Sequence, residues 1–191
     1  MIEAFSNIAT AFGLSTSAGL NAYLPMLVVA LMARYTNLIQ LNEPWDVLTS
    51  WWVIGVLTVL LVIEMTVDKI PAVDTVNDIV QTVGRPAAGA VLFAANSGVV
   101  GDLHPVIALV AGLLVAGSVH AAKSVARPAI TATTGGLGNW AVSLIEDILA
   151  LISAILAILV PIIIVLMAAF VLMIAFVWQR NRRRQRAAAA Q

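Results

Sequence analysis

Between Ile148 and Trp178 the chain runs for 31 residues without a charged side chain. As one straight helix that run would measure about 46 Å at the α-helical rise per residue, more than the roughly 30 Å of a bilayer's hydrocarbon layer. The rest of the chain matches it: 61 % of the 191 residues are apolar and only 10 % are charged. No soluble domain of this size needs so much apolar surface, whereas an integral membrane protein does. The expected fold class is therefore all-α, a polytopic membrane bundle. Pro161 sits near the middle of the uncharged run, and no glycine or polar residue there supplies a turn. A single helix that tilts and kinks at Pro161 is accordingly preferred to two segments folding back.

The bundle occupies residues 1–178 as one transmembrane domain. Residues 179–191 are a different kind of sequence, with five arginines directly after the apolar run. Such a run marks the cytoplasmic side and attracts anionic lipid. The start, MIEAFSNIATAF, carries an acid and no basic residue, so it does not read as a cleaved signal peptide. Given a prokaryotic source, the expectation is a multi-pass protein of the inner membrane with its C-terminus inside. The formal net charge is zero, which gives no argument for nucleic acid. With no cysteine there is no disulfide, thiolate chemistry or cysteine metal site.

Five or six apolar segments are expected. Ile8–Ala33 is the first spanning candidate, opened by the small residues Ser15, Ala18, Gly19 and Ala22, whose spacing suits close helix contact. Within it Asn21 and Pro25 stand four apart. The proline cannot donate to the Asn21 carbonyl, which predicts a polar notch inside the helix. Thr36–Ser50 is polar and reads as a loop or short surface helix; Trp45, Trp51 and Trp52 suit the headgroup layer. Trp51–Val67, Pro86–Val100 and Val106–Ser118 are the next spans, the fourth running on to Arg127 before a break at Pro128. A tight turn at Gly101–Pro105 carries Asp102 and His104.

The charges outside the tail collect in Glu64–Pro86, which holds Glu64, Asp68, Lys69, Asp74, Asp78 and Arg85. Glu64 and Asp68 share one helix face. Beyond Pro71, residues Val73, Val76, Val80 and Val83 form an apolar stripe, with Asp74, Asp78, Gln81 and Arg85 opposite. The expectation is a proline-broken helix, one limb spanning and the other lying in the interface or re-entering. A weak internal repeat is also suggested: Val53–Val62 echoes Val106–Val115, and Pro71-Ala72-Val73 echoes Pro128-Ala129-Ile130. Repeats with broken helices are a common transporter plan.

Three pieces carry a family resemblance: GLSTSAGLNAYLP (Gly13–Pro25), DKIPAVDTVNDIVQTVGRPAAGAVL (Asp68–Leu92) and Ile145-Glu146-Asp147. In these the chain resembles an uncharacterised bacterial membrane family, catalogued as domain of unknown function 4126. The resemblance covers nearly the whole chain except the arginine tail, and it brings no assigned activity.

Charged groups at bilayer depth are costly and seldom face lipid. Asn21, Glu64, Asp68, Lys69, Asp74, Asp78 and Arg85 are therefore candidates for a polar pathway, passing protons or binding a hard cation through oxygens. The competing reading is a solvated interfacial helix whose acids pair with Lys69 and Arg85. A second candidate group is His120, Lys123 and Arg127 with the hydroxyls and glycines of Thr131–Asn139, where a Gly-Gly-x-Gly turn offers amides to an anion such as a phosphate headgroup. Hydrolase, phosphate-loop and zinc-protease motifs are absent, so no enzyme activity and no cofactor is expected. The function expected is a small transporter or flippase-like protein, in a homo-oligomer within the lipid bilayer, acting on an ion or anionic headgroup. The alternative is a non-transporting scaffold or partner-binding subunit. On the pathway reading, Asp68→Asn impairs function while the protein still folds.

Overall fold

The computed structural model describes residues 2–41, 43–68, 71–97 and 103–161, with backbone alone at 2–5, 71–76, 78 and 97. These residues fold as an all-helical chain. Six α-helices follow one another among them: α1 (Ile2–Leu20), α2 (Tyr23–Tyr35), α3 (Trp51–Val67), α4 (Pro71–Ser97), α5 (Pro105–Thr134) and α6 (Leu137–Pro161). A short 3-10 helix, Trp45–Thr49, fills the polar connection before α3. Ser50 starts α3 by accepting a hydrogen bond from the Val53 amide on its side chain.

The expected first span, Ile8–Ala33, is two helices. The chain is interrupted at Asn21–Ala22 rather than bent at Pro25. Asn21 Oδ1 accepts from the amides of Tyr23 (3.2 Å) and Leu24 (3.0 Å), satisfying donors that the start of α2 would otherwise leave open. Pro25 falls in the first turn of α2, where a missing N–H costs nothing. The asparagine, not the proline, sets the boundary.

The opposite correction applies to Pro86 and Pro128. Neither breaks its helix: Pro86 lies inside α4 and Pro128 inside α5. An interior proline costs about 3 kcal/mol locally, so packing must outweigh it. The Pro86 ring lies against α5, within ordinary contact distance of a side chain placed at Gly117. α5 stops instead at Gly135 and Gly136, whose φ of 61° and 86° a glycine adopts freely. Pro71 and Pro128 therefore occupy different places, a helix start and a helix interior, and the echo between them is not an echo of structure. The bend expected at Pro161 and the arginine tail lie at or beyond the limit of the described residues, and Asp102, with the first part of the expected Gly101–Pro105 turn, lies outside them.

α1, α4 and α5 form the centre, with α4 and α5 in the most extensive contact. The α4–α5 crossing depends on small residues. A Cβ added at Gly112 would lie 2.8 Å from the Ala90 Cα, and one added at Gly89 would lie 2.8 Å from the Gly112 carbonyl oxygen. Ser15 of α1 donates to the Gly89 carbonyl (2.9 Å) in the same region. α6 is held to α1 by Ser17 donating to the Ala150 carbonyl (2.6 Å) and Thr10 to the Ala157 carbonyl (2.9 Å). α2 packs on α3 and the 3-10 helix through Ala30, Leu48, Ile54 and Leu57.

Along α4 and α5, apolar side chains are exposed beside buried polar and charged ones. On α4, Ile79, Val80 and Val83 face outward, while Gln81 and Arg85 are buried. On α5, Val106, Ile107, Leu114 and Val125 face outward, and His120, Lys123 and Arg127 are buried. The solvated interfacial helix therefore does not describe Gln81 or Arg85, which face inward. Among the described residues two helices, α5 and α6, are long and apolar enough to cross a membrane. α2 and α3 are apolar but shorter.

Candidate functional site

The inward polar stripes meet at one place. α3 supplies Glu64 and Asp68, one turn apart at its C-terminal end, and α4 supplies Asn77 and Arg85, two turns apart. α5 supplies His120, Lys123 and Arg127, and α6 supplies Glu146 and Asp147. The Asn21–Ala22 interruption contributes backbone and amide groups from the fifth side. The helical period alone aligns each set, and the small residues further along α4 and α5 let the stripes approach.

Arg85, fully buried, donates from Nε (3.2 Å) and Nη2 (3.1 Å) to the same oxygen, Glu64 Oε1, and from Nη2 to Asp68 Oδ2 (3.3 Å). Asp68 Oδ2 also faces Lys123 Nζ (3.2 Å) and Arg127 Nη2 (3.6 Å), while its Oδ1 accepts from Asn77 (2.6 Å). Lys123 and Arg127 reach on to Glu146 Oε2 at 3.0 and 2.7 Å. Among the described residues the result is a chain of alternating charge, Glu64–Arg85–Asp68–Lys123/Arg127–Glu146, with three carboxylates against three cations. Asp147 adds a fourth acid and accepts from Asn21 Nδ2 (3.0 Å).

The α1–α2 interruption is built into this cluster. The last carbonyl of α1, Leu20, accepts from Lys123 Nζ (3.3 Å), a cation at a helix C-terminus. The Ala22 amide donates to Glu64 Oε1 (3.4 Å). Arg127 Nη1 donates to the Asp68 carbonyl (3.3 Å), closing the end of α3 in the same way. Glu64 is used unevenly: Oε1 takes all three donors, while the buried Oε2 has no hydrogen-bond partner among the described residues. His120 lies beyond Arg85, its Nδ1 at 3.1 Å from Arg85 Nη1 and its Nε2 near the hydroxyls of Thr82 (3.3 Å) and Ser124 (3.4 Å).

A small cavity of about 70 Å³ lies some three turns away along α1 and α4, lined by Ser6, Asn7, Thr10, Gln40 and Asn96 among others. Between it and the charge cluster the two helices present Leu14, Ala18, Ala88 and Leu92, all buried in one apolar core.

Of the residues singled out by sequence, the structure brings Asn21, Glu64, Asp68 and Arg85 together with His120, Lys123 and Arg127. Two groups expected apart are one cluster. The amides of the Gly-Gly-x-Gly turn point to helix ends rather than outward: Gly136 donates to the Thr131 carbonyl (3.1 Å) and Gly138 to Thr134 Oγ1 (3.1 Å). Lys69 lies outside the described residues, and Asp74 and Asp78 lie on α4 with side chains outside them. Sequence reasoning missed Glu146, Asp147 and Asn77. Their signal was present, since Glu146 and Asp147 are the acids nearest the long uncharged run and Asn77 stands eight residues, about two turns, before Arg85.

No curated protein and no solved structure matches the chain. A family model does, across residues 8–181. The chain belongs to the family described as domain of unknown function DUF4126.

Proposed function

We propose that the protein is a small transporter of the inner membrane whose buried charge cluster couples movement of an ion or an anionic headgroup to a change in its internal pairing. It spans the membrane several times with the arginine tail inside, and it catalyses no covalent chemistry. The observation that carries this reading is Glu64. Its side chain is 1 % exposed, one oxygen is saturated with donors, and the other has no hydrogen-bond partner among the described residues. A buried, half-satisfied carboxylate is expensive to maintain and can be completed by a proton or a cation.

Three further features support it. Outward apolar and inward polar faces on α4 and α5 suit lipid outside and a polar interior. The interrupted α1–α2 pair points backbone groups at the cluster, as broken helices do in transporters; that likeness is architectural analogy. The polar cavity, the apolar layer of Leu14, Ala18, Ala88 and Leu92, and the charge cluster follow in series, the order expected of a closed pathway. The direct test is a flux screen in proteoliposomes over cations, anions and labelled lipids, with Glu64→Gln as the control. Uptake by the parent protein that the variant lacks supports the reading; no flux of any class overturns it.

One observation favours a second reading. The charges of Arg85, Lys123, Arg127, Asp68 and Glu146 satisfy one another closely enough to act as a structural lock, which a non-transporting scaffold subunit would also use. On that reading Glu64→Gln leaves every measurable function intact.

A further inference from the structure

With Arg85, Lys123 and Arg127 drawn into the charge cluster, Arg34 is the one lysine or arginine among the described residues whose side chain is exposed. It stands in the last turn of α2, and two contacts fix it. Its guanidinium lies over the Trp51 ring, 4.5 Å from the centroid, and its Nη1 donates to the Thr49 carbonyl (2.7 Å). Among the described residues it forms no ion pair. A guanidinium carries five N–H donors in a planar fork, so most of them remain for another acceptor. Tyr35 meets Trp51 edge-on, with 6.4 Å between ring centroids, and Trp52 is 88 % exposed. Such amphipathic rings settle at headgroup depth. An apolar groove of about 510 Å³ starts at the same place, lined by Trp51, Trp52, Gly55, Val56, Val59 and Leu60. It follows α3 for about 14 Å. Gly55 leaves it open in the middle, since a Cβ added there meets nothing within 4 Å.

We infer that this corner of α2 and α3 binds one phospholipid, its phosphate on Arg34 and one acyl chain lying in the groove over Gly55. The site rests on the reading of the chain as membrane-spanning and is separate from the charge cluster. The two halves of the ligand answer the two halves of the site. Phosphate oxygens take charge-assisted hydrogen bonds from the open side of the guanidinium, which the Trp51 ring and the Thr49 carbonyl already hold in place. Methylene groups meet a wall with no charged side chain in it. The headgroup follows from the neighbouring charges. Glu43 and Asp46 are exposed on the connection that leads to Thr49, and they repel any negative charge beyond that of the phosphate. The ligand is therefore a zwitterionic phospholipid. An arginine that only reached up to the headgroups would need neither a ring to hold it nor a groove beneath it.

The test needs no transported substrate. The full chain is placed in lipid nanodiscs with a trace of phosphatidylethanolamine carrying a diazirine on one acyl chain, or of the matching diacylglycerol, which lacks the phosphate. After illumination, mass spectrometry compares the label on residues 51–60 with that on residues 106–114, another exposed apolar face. The phospholipid probe should favour 51–60 about tenfold, the worth of one charge-assisted hydrogen bond. Diacylglycerol should show no such excess. Arg34→Gln and Gly55→Leu should each abolish it; the second adds its side chain to open space, so it serves even if the first fails to fold. Equal label on the two stretches, the same excess with diacylglycerol, or an excess that survives in a folded variant would overturn the proposal. Label on 106–114 alone would remove the site and leave the membrane reading standing; label on neither stretch would remove both.

Discussion

At the residue scale, Asp68 and Glu64 are both buried carboxylates yet have opposite duties. Asp68 touches three cations and an amide; Glu64 touches one guanidinium and one backbone amide on a single oxygen. Removing one partner of a buried ion pair costs about 3–5 kcal/mol because the other charge is left uncompensated. Asp68→Asn leaves Arg85, Lys123 and Arg127 short of a shared counter-charge. The variant is still expected to fold, but at a cost: thermal unfolding in detergent should show Asp68→Asn destabilised by several kcal/mol. Glu64→Gln keeps an oxygen for Arg85 and Ala22 and should cost less than half as much. Equal melting temperatures for Asp68→Asn and the parent would show that Asp68 is not the hub of the pairing.

At the scale of elements, the boundaries follow local chemistry where one group dominates and packing where none does. α3 was legible to the residue, from Trp51 to Val67, because a polar, proline-bearing connection precedes its apolar run and a charged, proline-bearing stretch follows. α4 was not: Gly84-Arg85-Pro86 reads as a break, yet Arg85 is buried with Glu64 and Asp68 and the Pro86 ring packs on α5, so the helix runs through. Asn21 was legible as a polar notch but not as a cap, since the competition between an asparagine cap and a proline bend is decided by which donors lack partners. The stripe on α4 was visible as a stripe, and His120, Lys123 and Arg127 on α5 as a group. Their inward direction was not, because periodicity gives a face and never says whether lipid or water lies beyond it. The α4–α5 crossing supplies a test of this packing. Gly112→Ala should lower stability by about 1–3 kcal/mol through overpacking against the Ala90 backbone. Gly55→Ala, which meets nothing within 4 Å, should be neutral or slightly stabilising. Chemical denaturation of the two variants side by side checks it; equal stability would contradict the crossing.

At the scale of the whole molecule, five basic residues precede the tail: Arg34, Lys69, Arg85, Lys123 and Arg127. Three of them are interior side chains, so they say nothing about which loops face the cytoplasm, and any count of crossings made from them misreads their place. On the proposed reading the tail's five arginines set the orientation, and a C-terminal reporter should then be active in the cytoplasm and silent in the periplasm. The central claim is that the half-satisfied Glu64 couples the cluster to movement across the membrane. The measurement that tests it most directly is flux into proteoliposomes carrying the parent protein or Glu64→Gln at matched amount and matched folding. The account predicts flux by the parent, reduced at least tenfold by Glu64→Gln, with both proteins melting within a few degrees of each other. Equal flux by the two would remove Glu64 from the pathway and contradict the account.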